Sequence, residues 1–355
     1  MMSTGLLEAF AEWSAAGESL VLASVYETEG STYSKAGARM LITGDGRFHG
    51  MLSGGCLEGD LAERARQALE SGRPQAVTYD LGQNDEELWG LGVGCDGLMR
   101  IFLQPLSPAD GYEPFATMAR ALTGDTEQVS VTVIESSLDD MTSGQTLVTV
   151  DGELAYTDVE GDHLAPLSVV TGETLLESAS AMKTVSIDGQ EVRVLAAMLT
   201  PPPSILVLGA GLDAGPVVRF ANELGWRVTV QDHRPAYIES GKFEVAREVL
   251  NVPVAELSQS VDFDRFSAVI VMSHHLASDR SYLEQLARTN IGYSGLLGPV
   301  DRRRRLLEEM GDAAGRLEGR VHGPAGLDIG GRGPASIALS IIAEMHRHLF
   351  GAGEG

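Results

Sequence analysis

The sequence predicts an α/β protein in which an N-terminal α+β domain precedes a C-terminal domain built on a doubly wound parallel sheet. In the second half, apolar strand-like runs alternate with helical patterns, as parallel sheets require. The first of these runs, 205–208, leads through a glycine-rich turn directly into a helix. Three consecutive prolines, 201–203, form a stiff connection before it. With a usual size of about 150 residues per domain, we expect domains at 1–199 and 204–355.

The composition indicates a globular protein and disfavours a membrane-spanning or nucleic-acid-binding one. The chain is 43% hydrophobic and 21% charged, which is typical of a globular protein. No run approaches the about 18 apolar residues of a membrane span, and the first residues lack a basic start followed by an apolar core. Two cysteines fit a reducing compartment, so we expect a cytoplasmic protein. The excess of 50 acidic over 26 basic residues disfavours nucleic acid as a partner.

The elements of the first domain follow from hydrophobic periodicity. A helix ends near Gly17. A loop of small residues, 30–37, precedes Arg39, and such loops often approach a ligand. The later part, 111–193, is predicted to be an antiparallel extension of this domain, and we find no candidate catalytic or binding residues in it. The expected strands are 19–26, 39–43, 48–52, 76–81, 98–103, 129–134, 146–150 and 192–195, and the expected helices after the first are 56–71 and 115–122.

The segment Ser53-Gly54-Gly55-Cys56-Leu57-Glu58 is the predicted functional centre of this domain. Apolar residues recur at helical spacing after Cys56, so a helix begins there. Free backbone N–H groups at a helix start favour a thiolate and bound anions. Gly54 and Gly55 leave room for a ligand near the backbone. The alternative is a buried structural cysteine in a tight turn.

The second cysteine, Cys95, also lies in a glycine-rich turn, since residues 90–97 contain four glycines. The pair of cysteine–glycine turns indicates a shared site that handles sulfur or a soft ligand. A chance pair of small turn residues is the alternative. Two cysteines are too few for a closed zinc site, which takes about four ligands, so no metal site is predicted.

The turn Gly209-Ala210-Gly211-Leu212-Asp213-Ala214 carries the pattern G-x-G-x-x-A between a buried strand and a helix. The next strand, 227–230, ends at Asp232. This is the dinucleotide-binding fingerprint in its expected context, and it predicts a Rossmann-like fold. Gly209 and Gly211 would then lie close to a phosphate group of the cofactor, and Asp232 would contact its ribose. NAD(P) is therefore a candidate cofactor. The same topology hosts many other functions.

The rest of the second domain alternates regularly. Ser273-His274-His275 follow a predicted strand at its carboxyl end, where open α/β sheets bind ligands. Ser273 and His274 are therefore candidate site residues, unless one histidine only caps a loop. Adjacent histidines on an extended chain point to opposite sides, so they are not predicted as a metal pair. For Arg302 to Arg305 we favour solvation over phosphate binding. The expected strands are 268–272 and 292–297, and the expected helices are 279–288, 301–310 and 334–349.

Taken together, these residues resemble the XdhC/CoxI-type accessory proteins of molybdenum hydroxylases such as xanthine dehydrogenase. The resemblance spans nearly the whole chain. In the first domain it rests on the following motifs: Gly30-Ser31-Thr32, Gly37-Ala38-Arg39-Met40, the segment 53–58 and Gly92-Val93-Gly94-Cys95. In the second it rests on the turn at Gly209, Asp232-His233-Arg234, Ser273-His274, the segment 293–298, and the segment 323–330 with the helix after it.

The resemblance implies a protein that binds molybdenum cofactor (molybdopterin) as cargo, assists its sulfuration with a cysteine desulfurase, and inserts it into a molybdenum hydroxylase client. Such a protein is not itself the hydroxylase, and we expect a homodimer. The implied reactive residues are Cys56, Cys95 and His274, and the implied cofactor contacts are Arg39, Ser53, Gly54, Gly55, Gly209, Gly211, Asp232 and Ser273. The chain departs from the family at Asp96, where the family usually has glycine.

Two other functions stay open from the residues alone. The chain could be an NAD(P)-dependent oxidoreductase with His274 as acid or base, and Arg234 leaves NADP open. Alternatively, the second domain could be a scaffold that docks the client. A plain dehydrogenase has no need of two cysteine–glycine turns, so the accessory protein is the favoured interpretation. We favour a carrier of the cofactor over an enzyme, and the sequence leaves open whether the chain catalyses a reaction.

Overall fold

The computed structural model describes residues 4–80 and 97–351. The chain divides into two compact units, Met1–Pro201 and Pro202–Gly355. The first unit contains two antiparallel sheets, and the second contains one parallel sheet of six strands. The predicted fold class is therefore confirmed.

The first unit is formed by short helices and two groups of strands. Its described helices are α1 (Thr4–Ala15), α2 (Glu58–Ser71), α3 (Phe115–Thr123) and α4 (Leu164–Glu177). Its described strands are β1 (Leu20–Glu29), β2 (Arg39–Thr43), β3 (Phe48–His49), β4 (Gln75–Asp80), β5 (Leu98–Leu106), β6 (Gln128–Ser136), β7 (Thr146–Val150), β8 (Glu153–Thr157), β9 (Ala181–Ile187) and β10 (Gln190–Leu199).

The first sheet has the strand order β3-β2-β1-β5-β4, and all its pairs are antiparallel. Met40 and Ile42 point from β2 into a core that they share with Leu61 and Ala65 of α2. Alternation along a strand puts Arg39 and Leu41 on the opposite face. Helix α2 therefore covers one face of this sheet, and its start carries the predicted site.

The second sheet, β8-β7-β6-β10-β9, is separate from the first. Apolar alternation predicts β6, β7 and part of β10 as an antiparallel extension, but it does not predict β8, β9 or α4. Strand β8 is exposed or half-buried at every position, and β9 is buried only at Ile187, so neither shows a clear apolar alternation. The two sheets pack through Tyr26, Phe102 and Leu195.

The second unit has the strand order β13-β12-β11-β14-β15-β16, and all its pairs are parallel. The strands are β11 (Ser204–Leu208), β12 (Arg227–Gln231), β13 (Glu248–Leu250), β14 (Ala268–Val271), β15 (Ser294–Leu296) and β16 (Val321–His322). The described helices are α5 (Ala214–Glu223), α6 (Pro235–Ser240), α7 (Leu257–Ser260), α8 (Leu276–Leu286), α9 (Val300–Met310) and α10 (Pro334–Phe350).

Helices cover both faces of this parallel sheet, as the doubly wound fold requires. Helices α5 and α10 pack on one face, and α8 and α9 pack on the other. The sheet order reverses at β11, which pairs with β12 on one side and β14 on the other. Within the described residues, no helix combines the length and the hydropathy that crossing a membrane would need.

Candidate functional site

Three segments that the sequence analysis singled out meet around the Cys56 loop, which we define as residues 51–57. The ring of Tyr33 lies against Gly54, where an added Cβ would come within 3.3 Å of the ring. Gly97, the last residue of the predicted turn 90–97, packs against Ser31 and Thr32. A Cβ at Gly97 would lie 2.5 Å from the Ser31 carbonyl oxygen, so only glycine fits there.

Cys56 is exposed and precedes Leu57, the N-cap residue of α2. The alternative of a buried structural cysteine is therefore wrong. Tyr33, which is 64% exposed, and Met51, which is 50% exposed, provide apolar surface at the same loops. The Cys56 loop and the neighbouring Tyr33 thus expose a thiol, a thioether and an aromatic ring.

The carboxylate of Glu58 occupies the inside of the Cys56 loop. One oxygen accepts hydrogen bonds from the amides of Leu52 at 3.0 Å and Ser53 at 2.9 Å. The other accepts from the amides of Gly55 at 3.0 Å and Leu57 at 3.2 Å, and from the Ser53 hydroxyl at 2.5 Å. Only 2% of Glu58 is exposed, so this internal carboxylate takes the place that a bound anion would take.

The expectation of free N–H groups in this loop is therefore wrong for these four amides. Burial acts to raise the pKa of the Glu58 carboxyl, but the hydrogen bonds from Ser53 and the Leu52 amide outweigh it and hold that pKa below its usual value. The sequence contained a signal for this contact, because an acidic residue in the first turn of a helix often reaches back to the amides before it. The role of Glu58 is a finding of the structure, not a prediction from the sequence.

Arg39 and Cys95 are not placed beside Cys56 by the described structure. Arg39 is 9% exposed and points away from α2, and its Nη2 donates to the Ser130 hydroxyl of the second sheet at 2.8 Å. Burial lowers the pKa of Arg39 to about 10. Within the described residues, its Nε and Nη1 have no hydrogen-bond partner. Cys95 lies outside the described residues, so the roles predicted for both stay predictions.

In the second unit, Gly209 brings the ends of two strands together. Its φ is +126°, and an added Cβ would lie 2.6 Å from the Met272 carbonyl and the Ser273 nitrogen. Only glycine permits this approach between the ends of β11 and β14. Two steps later, a Cβ at Gly211 would lie 3.6 Å from the ring of His274. The two strand-end motifs of the sequence analysis are thus neighbours.

Asp232 points into the protein and holds the Gly209 turn. It is 1% exposed, and its Oδ2 accepts from the Ala210 amide at 2.8 Å. Arg234 donates its Nε and Nη2 to this carboxylate at 2.9 and 2.7 Å and also contacts the Ser273 carbonyl. The Arg234 guanidinium lies 3.7 Å over the Tyr237 ring. Burial acts to raise the pKa of Asp232, but these hydrogen bonds hold it below its usual value.

Ser273 has a structural partner. It is 2% exposed, and its hydroxyl donates to Asp279 at 2.5 Å. The other Asp279 oxygen accepts from Arg302 at 2.6 Å, although the sequence favoured solvation for the arginines at the start of α9. That expectation is wrong for Arg302, because a buried carboxylate lies within its reach. Arg304 and Arg305 are exposed as predicted.

His274 and His275 differ from the extended pair that we expected. His274 has a left-handed φ of +58°, and its Nε2 lies 3.2 Å from Asp213 at the start of α5. His275 accepts from the Ser278 amide and caps α8, which is the loop-capping role left open above. The left-handed residue redirects the chain into the helix, so only His274 faces the site.

A cavity of about 800 Å³ lies beside this turn, and we name it the α5 cavity. Its walls include Gly211 and His274 together with apolar and charged side chains from α5, α6 and the segment after α6. The charged residues are Asp213, Arg219 and Lys242, and the large apolar ones are Leu212, Pro216, Tyr237 and Phe243. Asp232 is not among the residues that line it. In the described part of the chain, no group of His, Cys, Asp and Glu residues could hold a metal ion.

Comparison with known proteins decides the family. The profile of the XdhC Rossmann domain matches residues 205–345, and that of the XdhC and CoxI family matches residues 13–80. A Bacillus subtilis protein, named as a probable subunit of xanthine dehydrogenase, is 30% identical over 329 residues, which cover 92% of each chain. The chain belongs to the XdhC and CoxI family. The resemblance stated from the sequence is confirmed.

The similarity to two other proteins covers both units of the chain. The Escherichia coli molybdenum cofactor insertion chaperone PaoD is 21% identical over 331 residues, covering 93% of this chain and 83% of PaoD. A crystal structure described as a xanthine dehydrogenase from Bacillus halodurans superposes with a TM-score of 0.78 and 28% identity. That superposition covers 98% of this chain and 96% of the other. The Cys56 loop and the Gly209 turn lie within the two family matches, whereas Cys95 lies between them.

Proposed function

We propose that this member of the XdhC and CoxI family binds molybdenum cofactor as cargo and inserts it into a molybdenum hydroxylase of the xanthine dehydrogenase type. The observation that carries the proposal is the match to a named insertion chaperone, which runs through both units and 93% of the chain. The Bacillus subtilis relative, named after xanthine dehydrogenase, supports the class of client. The proposal includes assistance to sulfuration by a cysteine desulfurase, a homodimer and a cytoplasmic location.

The Cys56 loop suits one end of this cargo. A thiolate is a soft ligand, so an exposed Cys56 fits the sulfur-rich, metal-bearing end of the cofactor. The cofactor's phosphate is an anion, and four amides that could bind it there already contact Glu58. In this proposal the Cys56 thiol meets the soft end of the cargo, and Glu58 keeps the loop in shape without contacting it.

The test is cofactor retention. The full chain is purified from a molybdenum-replete host, and molybdenum per chain and the fluorescence of oxidised pterin are measured. Cys56→Ser should lower both, because a hydroxyl is a much poorer soft ligand than a thiol. Cys95→Ser is the parallel thiol variant and tests the second predicted residue. Circular dichroism and the unfolding midpoint should stay unchanged in both, since the side-chain volume hardly changes.

Delivery is tested with the cargo-bearing protein. Mixing it with a cofactor-free hydroxylase of the xanthine dehydrogenase type should restore hydroxylase activity, and the Cys56→Ser protein should restore less. Equal molybdenum content in the Cys56→Ser protein and its parent would remove the thiol from the proposal. Absence of molybdenum and pterin from the parent, with no transfer of activity, would contradict the function itself.

A further inference from the structure

The α5 cavity of the second unit carries chemistry that the Cys56 loop does not supply. It lies at the carboxyl edge of the parallel sheet, next to β11, where the strand order reverses. Open α/β sheets usually bind their ligands at this position. Its volume of about 800 Å³ is that of a small-molecule site. With a nucleotide as its ligand the cavity goes beyond the proposed function, and with a pterin phosphate it deepens that function and rests on it. In neither case does binding in the cavity depend on Cys56.

Two cations, Arg219 and Lys242, line this cavity. In the chain segments 4–80 and 97–351, neither the Arg219 guanidinium nor the Lys242 ammonium takes part in an ion pair, although the whole chain has a net charge of −24. The carboxylate in the wall, Asp213, lies 3.2 Å from the Nε2 of His274. The cavity therefore combines two uncompensated positive charges with one carboxylate that already has a partner.

Arg219 contributes its charge to the wall of the cavity from α5. Its Nη1 lies 3.4 Å from where a Cβ would stand on Gly215, and Gly215 is itself part of the wall. The guanidinium thus lies over the first turn of α5, and the Arg219 side chain stays exposed at the mouth of the cavity, where a ligand can reach it. A planar guanidinium with several donors suits the oxygens of a phosphate group, and a lysine ammonium adds a second point charge.

The same cavity lacks the group that a dinucleotide site needs. In the dinucleotide-binding fold, an acidic residue at the end of the second strand accepts hydrogen bonds from the ribose hydroxyls. Here that residue is Asp232, which is 1% exposed and bonded to Ala210 and Arg234. Arg234 also stacks on Tyr237. The carboxylate is therefore unavailable to a ribose.

We propose that the α5 cavity binds a phosphate monoester with a planar ring, that Arg219 and Lys242 hold its phosphate, and that the cavity discriminates against NAD and NADP. Leu212, Pro216 and Phe243 supply the apolar wall that a planar ring would contact. A nucleoside monophosphate and a phosphorylated pterin share this chemistry. Calorimetry with AMP and with molybdopterin distinguishes these two ligands.

The experiment is calorimetry on the full chain with inorganic phosphate, AMP, molybdopterin, NAD and NADP. AMP or molybdopterin should bind more tightly than inorganic phosphate, and NAD and NADP should bind no more tightly than AMP. Arg219→Gln and Lys242→Gln should each weaken the binding about tenfold or more, because each removes a charge-assisted contact. Arg288→Gln, which removes an exposed charge that does not line the cavity, should leave the affinity unchanged.

The outcomes separate this proposal from the function proposed above. Tighter binding of AMP assigns the cavity to a nucleotide, and tighter binding of molybdopterin assigns it to a pterin phosphate. Binding that persists unchanged in Arg219→Gln and Lys242→Gln, tighter binding of NAD than of AMP, or no binding of any probe would each overturn it. If the protein retains no molybdenum but binds AMP through Arg219 and Lys242, the cofactor function fails and this inference stands.

Discussion

Buried carboxylates shape the glycine-rich turns of this protein. Glu58 accepts from the Gly55 amide in the first unit. In the second unit, Asp232 accepts from the Ala210 amide, and Glu344 accepts from the Gly326 amide at 2.8 Å. Each carboxylate satisfies backbone donors that a small-residue turn would otherwise leave unpaired. Part of the large acidic excess therefore supports local structure.

Removing the Glu58 charge should destabilise the Cys56 loop. Glu58→Gln replaces an acceptor of several amides with a group that carries its own N–H donors, and we expect a loss of about 2–3 kcal/mol in the free energy of unfolding. Urea denaturation at neutral pH measures it. Glu63→Gln is the matched control, because Glu63 lies on the exposed face of α2 in a surface ion pair with Arg66. A loss no larger than that of the control would contradict the role of Glu58.

The stabilisation by Glu58 should depend on pH. The pKa of Glu58 in the folded protein lies below its ordinary value of 4.5, so its ionised form is favoured by folding. The contribution of Glu58 to stability is complete above pH 4.5 and is lost as the pH falls through the lower pKa of the folded protein. The difference in unfolding free energy between the parent and Glu58→Gln should therefore shrink in acid. A difference that stays constant well below pH 4.5 would show that the carboxylate charge is not its source.

At the scale of elements, one buried carboxylate joins the end of β14 to the start of α9. Asp279 of α8 is buried and accepts from Ser273 before it and from Arg302 in α9. Ser273 immediately precedes His274, which lines the α5 cavity. The position of His274 therefore depends on a contact made behind the cavity wall.

Breaking this contact should cost about 3 kcal/mol of stability, because Asp279→Asn leaves the Arg302 charge half-buried without its partner. Chemical denaturation measures the change. Asp301→Asn provides the comparison, since the Asp301 side chain is 81% exposed in its ion pair with Arg304 and should contribute less than about 1 kcal/mol. Equal effects of the two substitutions would show that the buried network contributes nothing beyond a surface pair.

At the scale of the whole molecule, each unit has its own buried core. The clusters around α2 and between the two antiparallel sheets belong to the first unit, and those on both faces of the parallel sheet belong to the second. We propose that the units are independent domains. Fragments 1–201 and 202–355, expressed separately, should each unfold cooperatively in urea and show native-like circular dichroism. A fragment without a cooperative transition would mean that it needs the rest of the chain to fold.

The sequence by itself determined the fold class and most of the elements. Strand β7 has the bounds that apolar alternation predicted, and α9 begins one residue before the predicted start. The glycine turn at Gly209 indicated the parallel sheet because its spacing has a local, steric meaning. Strands β8 and β9 were missed because they are largely exposed, so their residues show no clear alternation of apolar and polar side chains.

The tertiary structure alone decided how the candidate sites are built. The sequence placed Cys56 at a helix start, but its exposure and the filling of its loop by Glu58 depend on how the chain returns on itself. Asp232 occupies the sequence position of a ribose ligand, yet Arg234 and Ala210 turn it inward. Periodicity records which face of an element is buried. Which partner a polar side chain meets is decided by distances between segments that are far apart in the sequence, and no local pattern encodes these.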